Sequence, residues 1–418
     1  MSTGSAKKTL RNNTIALMII RILNYALPFI TLPYVSRIFT VEKFGLIFYA
    51  QILMDYFFRV VMFGFDFSGV RTIAINSDDT QKVNKSFSEI FFVQILFLII
   101  AYILLCLITI FIPKFHQDWI IYHITFLTIV GQVLLFTWFY QGMEKMKFIT
   151  ILNIITRSIF VILIFSCIKK ADDYILYPTF NAISCLTTAG IGAFFMKKYF
   201  NIKLQIPSWN DIVETIKYSS EFFITKVAIA LYRQTNAFVL GIMCTTTAVA
   251  YYVAADKMYW GLLSLYFTFI NALFPYMSKN KDIAFFKKMI KYLIILAVGT
   301  SLFLCLTSKL IILSFFSAKY TEAVHILQIF SLSFAAYVFV DTLGFPLLGA
   351  FGYVKETNWG YIIGGIYNLI GLLLLYTFNN INITSVAILV SSTYFIMFLH
   401  RIHYVRKYKL LSSAQEVK

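Results

Sequence analysis

Apolar residues run through this chain in stretches of membrane-spanning length, parted by short polar connections that collect its lysines and arginines. The stretches 90–113, 119–143, 174–196, 234–255 and 258–278 carry no formally charged residue. About 20 helical residues cross a hydrocarbon layer of about 30 Å, so each predicts a transmembrane helix. Barrel strands would alternate over about ten residues, and these runs do not. A further uncharged stretch, 357–399, is too long for one span, and its interruption at Asn379, Asn380 and Asn382 predicts a tight turn between two. With the less clean segments added, the predicted spans are 14–35, 44–66, 88–112, 119–140, 148–168, 174–196, 216–240, 247–274, 289–313, 323–349, 357–378 and 382–402.

Composition changes the picture only by naming the solvent. The 418 residues are 60% hydrophobic and 13% charged, with 44 Phe and 27 Tyr, where a soluble chain carries roughly 25% charged residues. The chain is therefore read as an all-α integral membrane protein of about twelve transmembrane helices. Segment 201–217, with Pro207, Ser208, Trp209 and Asn210, reads as a cytoplasmic linker between a six-helix bundle at 1–200 and another at 218–418.

Charge supplies the orientation. The formal net charge is +17, but the basic residues recur in short clusters between apolar runs and do not form one patch, which argues against a nucleic-acid partner. Of 36 Lys and Arg, 23 fall on one set of alternate connections or the span ends next to them, 7 on the other set counted the same way and 6 deeper within spans. That bias puts both termini on the cytoplasmic side. Lys7, Lys8 and Arg11 precede an apolar run that continues to Pro33 and Tyr34 without a cleavage site, so it is read as a retained first helix. The five cysteines and five histidines show no metal-ligand spacing, no phosphate-binding loop is present, and the connections are too short for a catalytic domain. No cofactor or metal is expected, and an enzyme such as a membrane glycosyltransferase is disfavoured.

The charges inside the spans are the candidate functional groups. Asp55 and Arg59 lie four apart on one helix face and can neutralise each other. Lys226 and Arg233 lie seven apart on one face with no carboxylate between them, which reads as an unneutralised cationic stripe suited to an anionic head group. Arg21 and Arg157 are the other cations proposed to contact phosphate, while Lys257 has an adjacent acid. Asp55, Asp66, Asp256 and Asp341 are either charge partners or sites for a coupling cation. Pro28 and Pro33 are candidate gate elements in the first span. Trp138, Phe139 and Tyr140 read as interfacial anchors or helix packing, and His400 and His403, among Arg401 and Arg406, as a solvated helix end.

Leu32-Pro33-Tyr34-Val35-Ser36-Arg37 followed by Glu42-Lys43-Phe44-Gly45-Leu46 resembles the opening of Wzx-type polysaccharide flippases, also called O-antigen transporters. Gly64-Phe65-Asp66-Phe67-Ser68-Gly69-Val70-Arg71 is similar to that family's next signature. Trp138-Phe139-Tyr140-Gln141-Gly142-Met143-Glu144-Lys145-Met146-Lys147 is the strongest match, and Ala255-Asp256-Lys257 through Asn271 to Lys279 extends the resemblance into the second half. The resemblance implies two six-helix bundles around a central cavity, as in multidrug-extrusion and lipid II flippase relatives. It also implies a substrate of oligosaccharide joined through diphosphate to undecaprenol, moved from the cytoplasmic to the periplasmic leaflet of the bacterial inner membrane. The cationic cavity of such proteins maps onto Arg21, Arg157, Lys226 and Arg233. Implied partners are the bilayer and, for the surface polysaccharide, a polymerase and glycosyltransferases. Coupling to membrane potential or to a proton or sodium gradient fits an anionic cargo. The alternatives are a teichoic-unit or lipid II-type flippase and a multidrug/cation antiporter; the basic interior disfavours the antiporter.

Overall fold

A computed structural model describes residues 29–411 of the chain, with the backbone alone for 224–232, and nothing in the described residues is a strand. Two compact units emerge, Met1–Val227 and Ala228–Lys418. The first contains α1 (29–38), α2 (Val41–Met62), α3 (Ser68–Ile75), α4 (Thr80–Phe111), α5 (Pro113–His116), α6 (Trp119–Val133), α7 (Thr137–Gly142), α8 (Met146–Cys167), α9 (Leu176–Phe195) and most of α10 (Trp209–Arg233). The second continues with α11 (Thr235–Met243), α12 (Thr246–Asn280), α13 (Ile283–Phe315), α14 (Ala323–Leu343), α15 (Val354–Thr377) and α16 (Ile383–Lys407). Among the described residues, 9 helices are long and apolar enough to cross a membrane.

Local chemistry explains where these helices begin. Asp79 accepts from the amides of Gln81 and Lys82, so α4 starts eight residues ahead of the predicted span. The Asn379-Asn380-Asn382 interruption is indeed a turn: Asn379 has φ 49°, and Asn382 and Ser385 exchange cap hydrogen bonds at the start of α16. Other predicted spans are interrupted. The fourth breaks between α6 and α7, where Phe136 has φ 48°; the seventh breaks at Gln234, between α10 and α11. The tenth ends in a π-helical turn, Gly344–Gly349, that contains Pro346. Pro275, by contrast, lies inside the continuous α12.

In the first unit, α9 packs on α6 and α8, and α2 packs on α4 and α6. A Cβ on Gly131 would lie 2.6 Å from Cys185 Cβ, so the absence of a side chain is what lets α6 approach the α9 backbone. Trp138, Phe139 and Tyr140 are not interfacial anchors. All three are at most 1% exposed. The Trp138 indole donates to Gln94 Oε1 at 3.3 Å, and the Tyr140 hydroxyl to the Gly192 carbonyl at 2.7 Å. Each ring is buried with its polar atom satisfied, the condition under which a buried Trp or Tyr is tolerated.

In the second unit α14 is the central helix, packed on α12, α13 and α16. Of its most apolar window 67% is buried, against 11% for α13, whose Leu302, Phe303, Leu306 and Leu310 are left exposed to lipid. Lipid gives apolar helices no solvent-driven reason to associate, so polar contacts between helices carry weight. Ser301 donates to the Ser331 carbonyl, Ser391 to the Ile329 carbonyl at 3.0 Å, and Asn368 to Thr393 at 3.3 Å.

Candidate functional site

The densest set of intramembrane charges in the described residues lies in the second unit. Arg233 closes α10, and its guanidinium sits 4.0 Å above the ring of Trp260 on α12. One turn before Trp260, Asp256 accepts a hydrogen bond from the Trp260 indole, and the fields of Lys257 and Arg233 both reach its carboxylate. From α14, Asp341 accepts from the Tyr361 hydroxyl of α15 at 2.8 Å. The fields of Arg401 and Arg233 both reach Asp341. Arg233 is thus exposed, backed by an aromatic face and within electrostatic reach of two acids.

That arrangement corrects the picture of an unneutralised stripe. No carboxylate lies between Lys226 and Arg233 along α10, but tertiary packing brings Asp256 and Asp341 from other helices toward Arg233. Sequence spacing reports neighbours on one helix only.

A second correction concerns α16. Arg401, expected at a solvated end, is 0% exposed. Its Nε donates to the Val340 carbonyl at 3.3 Å, its Nη1 to the Glu356 carbonyl at 2.9 Å, and its guanidinium lies 5.0 Å from the centre of the Tyr361 ring. A Cβ on Gly360 would stand 2.9 Å from Arg401 Cζ, so α15 has to carry glycine there. His400 beside it is half-buried. A sequence signal for this site did exist: Gly360 and Gly364 form a G-x-x-x-G stripe, the mark of a close helix partner. Nothing on α16 itself distinguishes Arg401 from the exposed Arg406.

The remaining predicted residues are spread over the chain. Arg157 is half-buried on α8, and its field reaches Tyr177 and Cys185 of α9. Tyr177 also hydrogen-bonds Gln51 of α2, so α2, α8 and α9 meet there around a cation. Asp55 is exposed and Arg59 half-buried one turn apart on α2, and Asp66 lies in the turn before α3. Pro33 sits within α1, where its carbonyl accepts from Ser36 at 3.2 Å. Arg21 and Pro28 lie outside the described residues, as does the side chain of Lys226. Among the described residues, no group of three or more His, Cys, Asp or Glu is placed to hold a metal.

The family model described as "Polysaccharide biosynthesis protein" matches residues 10–281. A protein named "Putative O-antigen transporter" from Escherichia coli (strain K12) is 27% identical over 371 residues, covering 87% of this chain and 89% of its own. Among solved structures, a lipid II flippase MurJ in an inward closed conformation superposes with TM-score 0.67 at 17% identity, covering 94% of this chain and 87% of that one. An inward-facing multidrug resistance MATE family transporter of the MOP superfamily also gives TM-score 0.67, at 12% identity over 96% of this chain and 99% of that one. At these identities the two structures establish a shared MATE/MurJ-like fold.

Proposed function

The chain belongs to the polysaccharide biosynthesis protein family, and from that premise we propose that it carries an undecaprenyl-diphosphate-linked oligosaccharide, a repeat unit of O-antigen or a related surface polysaccharide, from the cytoplasmic to the periplasmic leaflet. It is a multi-pass inner-membrane transporter and not an enzyme. The observation that carries this reading is the match to an O-antigen transporter along 87% of the chain.

The physical chemistry of the cargo agrees. A diphosphate and its sugars cannot cross about 30 Å of hydrocarbon unaided, whereas the prenyl tail never has to leave it. A guanidinium offers a planar fork of donors that matches phosphate oxygens, and an indole face behind it holds that fork in one plane. Arg233 on Trp260 has this form. In the proposed cycle Arg233 takes the diphosphate together with Lys226, Arg157 and Arg21. Twelve spans form two six-helix bundles, at 1–200 and 218–418 with 201–217 between them on the cytoplasmic side, and both termini are cytoplasmic. Asp256 and Asp341 hold Arg233 when substrate is absent, or take up a coupling cation as it leaves. Pro33 and Pro28 serve the gate of the first span. An inside-negative potential favours outward movement of an anion by about 2.3 kcal/mol per charge per 100 mV. The product is then presented where a polymerase can use it, while glycosyltransferases build it on the opposite face.

The test is purified protein in vesicles carrying a lipid-diphosphate oligosaccharide labelled on one leaflet. Translocation should rise with protein and respond to an imposed potential. Rates equal to those of protein-free vesicles, across all gradients and potentials, would end this reading.

A further inference from the structure

A cleft of about 180 Å³, lined by polar residue types with one exception, opens within the first unit, where α3, the start of α4 and the first half of α10 converge. Six hydroxyl side chains line it: Ser68 and Thr72 from α3, Ser86 from α4, and Thr215, Tyr218 and Ser219 from α10. Two carboxylates, Glu89 and Glu214, join them, and Ile90 is the only apolar lining residue. In a chain that is 60% hydrophobic, such a lining has no role in lipid packing. Buried polar groups are costly unless something polar meets them.

The local bonds show what is already committed. At the base the Ser68 and Ser219 hydroxyls, each 1% exposed, meet at 2.9 Å. At the rim Lys85 is held by Asp211 at 3.0 Å and Glu89 at 3.6 Å. Glu214 is exposed and adds a negative field at Glu89. With Lys85 engaged by two acids, the cleft is left acidic, which is the wrong sign for a phosphate. On its outer side Tyr218 is 43% exposed and packs near Phe222, which stacks with Phe67, itself 54% exposed. Hydroxyls and carboxylates that accept from hydroxyl hydrogens, beside an open aromatic face, are the chemistry that recognises a sugar ring. A water-sized group needs about 10–15 Å³ of this space, so the cleft admits about a dozen such groups, on the scale of one sugar ring.

We infer that this cleft is a carbohydrate subsite. It takes one hydroxyl-rich, non-acidic sugar ring of the head group, lying beyond the ring that bears the diphosphate, while substrate loads from the cytoplasmic side. The inference rests on the transport reading above and deepens it: Arg233 and its fellow cations read the diphosphate, and this cleft reads the sugar. Acidity keeps the two roles apart, because the same carboxylates that accept from sugar hydroxyls repel the diphosphate and therefore the ring next to it.

The test uses the full chain in vesicles with two labelled substrates, a prenyl diphosphate bearing one N-acetylhexosamine and the same lipid bearing a neutral tetrasaccharide. Glu214→Gln removes acceptor strength at an exposed position, and Thr215→Phe fills the cleft from a half-buried one. Both should raise KM for the tetrasaccharide lipid by about tenfold, the scale of one lost hydrogen bond, with transport of the monosaccharide lipid and the melting midpoint unchanged. Equal loss on both substrates, or loss on neither, would mean that the cleft holds only water and would overturn the subsite while transport stands. If the wild-type chain moves neither substrate, the transport reading falls and the subsite falls with it. Should either variant melt early, the other still decides, because one removes acceptor strength and the other removes space.

Discussion

Two arginines in the second unit occupy opposite environments. Arg401 is completely buried, its Nε and Nη1 donating to the carbonyls of Val340 and Glu356 and its face set against Tyr361. Arg233 is exposed, stacked at 4.0 Å on Trp260. Both cast their charge on the same carboxylate, Asp341. The difference lies in what each fork faces. Backbone carbonyls at the end of α14 and the start of α15 cannot move without moving the helices, so Arg401 ties two chain segments together. An aromatic face and two acids on neighbouring helices can yield to an incoming anion. Arg401 is the pin and Arg233 the handle, although sequence gives both the same residue type.

The largest effect should therefore come from Arg401. Arg401→Ala strands the buried Val340 carbonyl and the half-buried Glu356 carbonyl and takes a compensating charge from Asp341, and leaving a buried charge uncompensated costs about 3–5 kcal/mol. The expected outcome is loss of monodisperse protein after detergent extraction, whatever the substrate. Gly360→Ala attacks the same pin from the other side. Its Cβ would stand 2.9 Å from Arg401 Cζ, an overpacking worth about 1–3 kcal/mol. A normal melting midpoint for Arg401→Ala would break the comparison.

Next in size is Arg233→Gln, where the prediction reverses: melting and membrane abundance hold, and transport of a lipid-diphosphate oligosaccharide falls by about a hundredfold, as expected for losing a charge-assisted phosphate contact of roughly 3 kcal/mol. Trp260→Leu should do less. Losing the aromatic backing removes about 0.5–2 kcal/mol, which is up to roughly thirtyfold in affinity, and Arg233 itself remains to bind. If Trp260→Leu proved as severe as Arg233→Gln, the ring would be a contact for substrate and not a support for the guanidinium.

The same pair shows how far the sequence could be read. Helix type and the approximate positions of nine spans among the described residues were legible because membrane helices advertise themselves locally, as unbroken apolar runs bounded by polar turns such as Asn379 to Asn382. Arg233 was legible as a charge that lipid should not tolerate. Its neutralising partners were not, because Asp256 and Asp341 reach it through packing between helices, which no spacing along α10 encodes. Arg401 was misread for a related reason: its distance from the end of α16 suggested water, and only the G-x-x-x-G stripe on α15 hinted that a neighbour would close over it. For the aromatic triplet at Trp138 to Tyr140, read as interfacial anchors or helix packing, it is the packing that holds, and the sequence could not choose because the hydrogen-bond partners Gln94 and Gly192 lie 44 and 52 residues away. The break at Phe136 falls inside an apolar run that carries no proline and left no mark on hydropathy, whereas the break at Gln234 falls in the polar stretch Arg233-Gln234-Thr235-Asn236 within a segment read as one span.

The smallest effect is expected where a charge is neither buried nor engaged by substrate, and it sets the lower end of the scale for Arg401 and Arg233. Asp211 at the start of α10 accepts from the Ser208 amide at 3.0 Å and the Ser208 hydroxyl at 2.5 Å, and faces Lys85 at 3.0 Å. The Ser208 hydroxyl, foremost, and the Lys85 ammonium hold its carboxyl down at about 2. A folded pKa below the ordinary carboxylate value of about 4 means that the ionised form is preferred in the folded turn. Its contribution is therefore complete above about pH 4 and lost as pH falls through about 2. Because Lys85 is exposed and Asp211 lies half-buried at the surface, solvent screens the attraction, and Asp211→Asn should leave transport untouched. Hydrogen exchange at the first turn of α10, corrected for intrinsic rates, should quicken between pH 4 and pH 2 in the wild-type chain and stay flat in Asp211→Asn. Equal quickening in both would place the acid-sensitive group elsewhere. A large loss of transport at neutral pH would show that a surface ion pair weighs as much here as a buried one, and would remove the basis for separating pin from handle by burial.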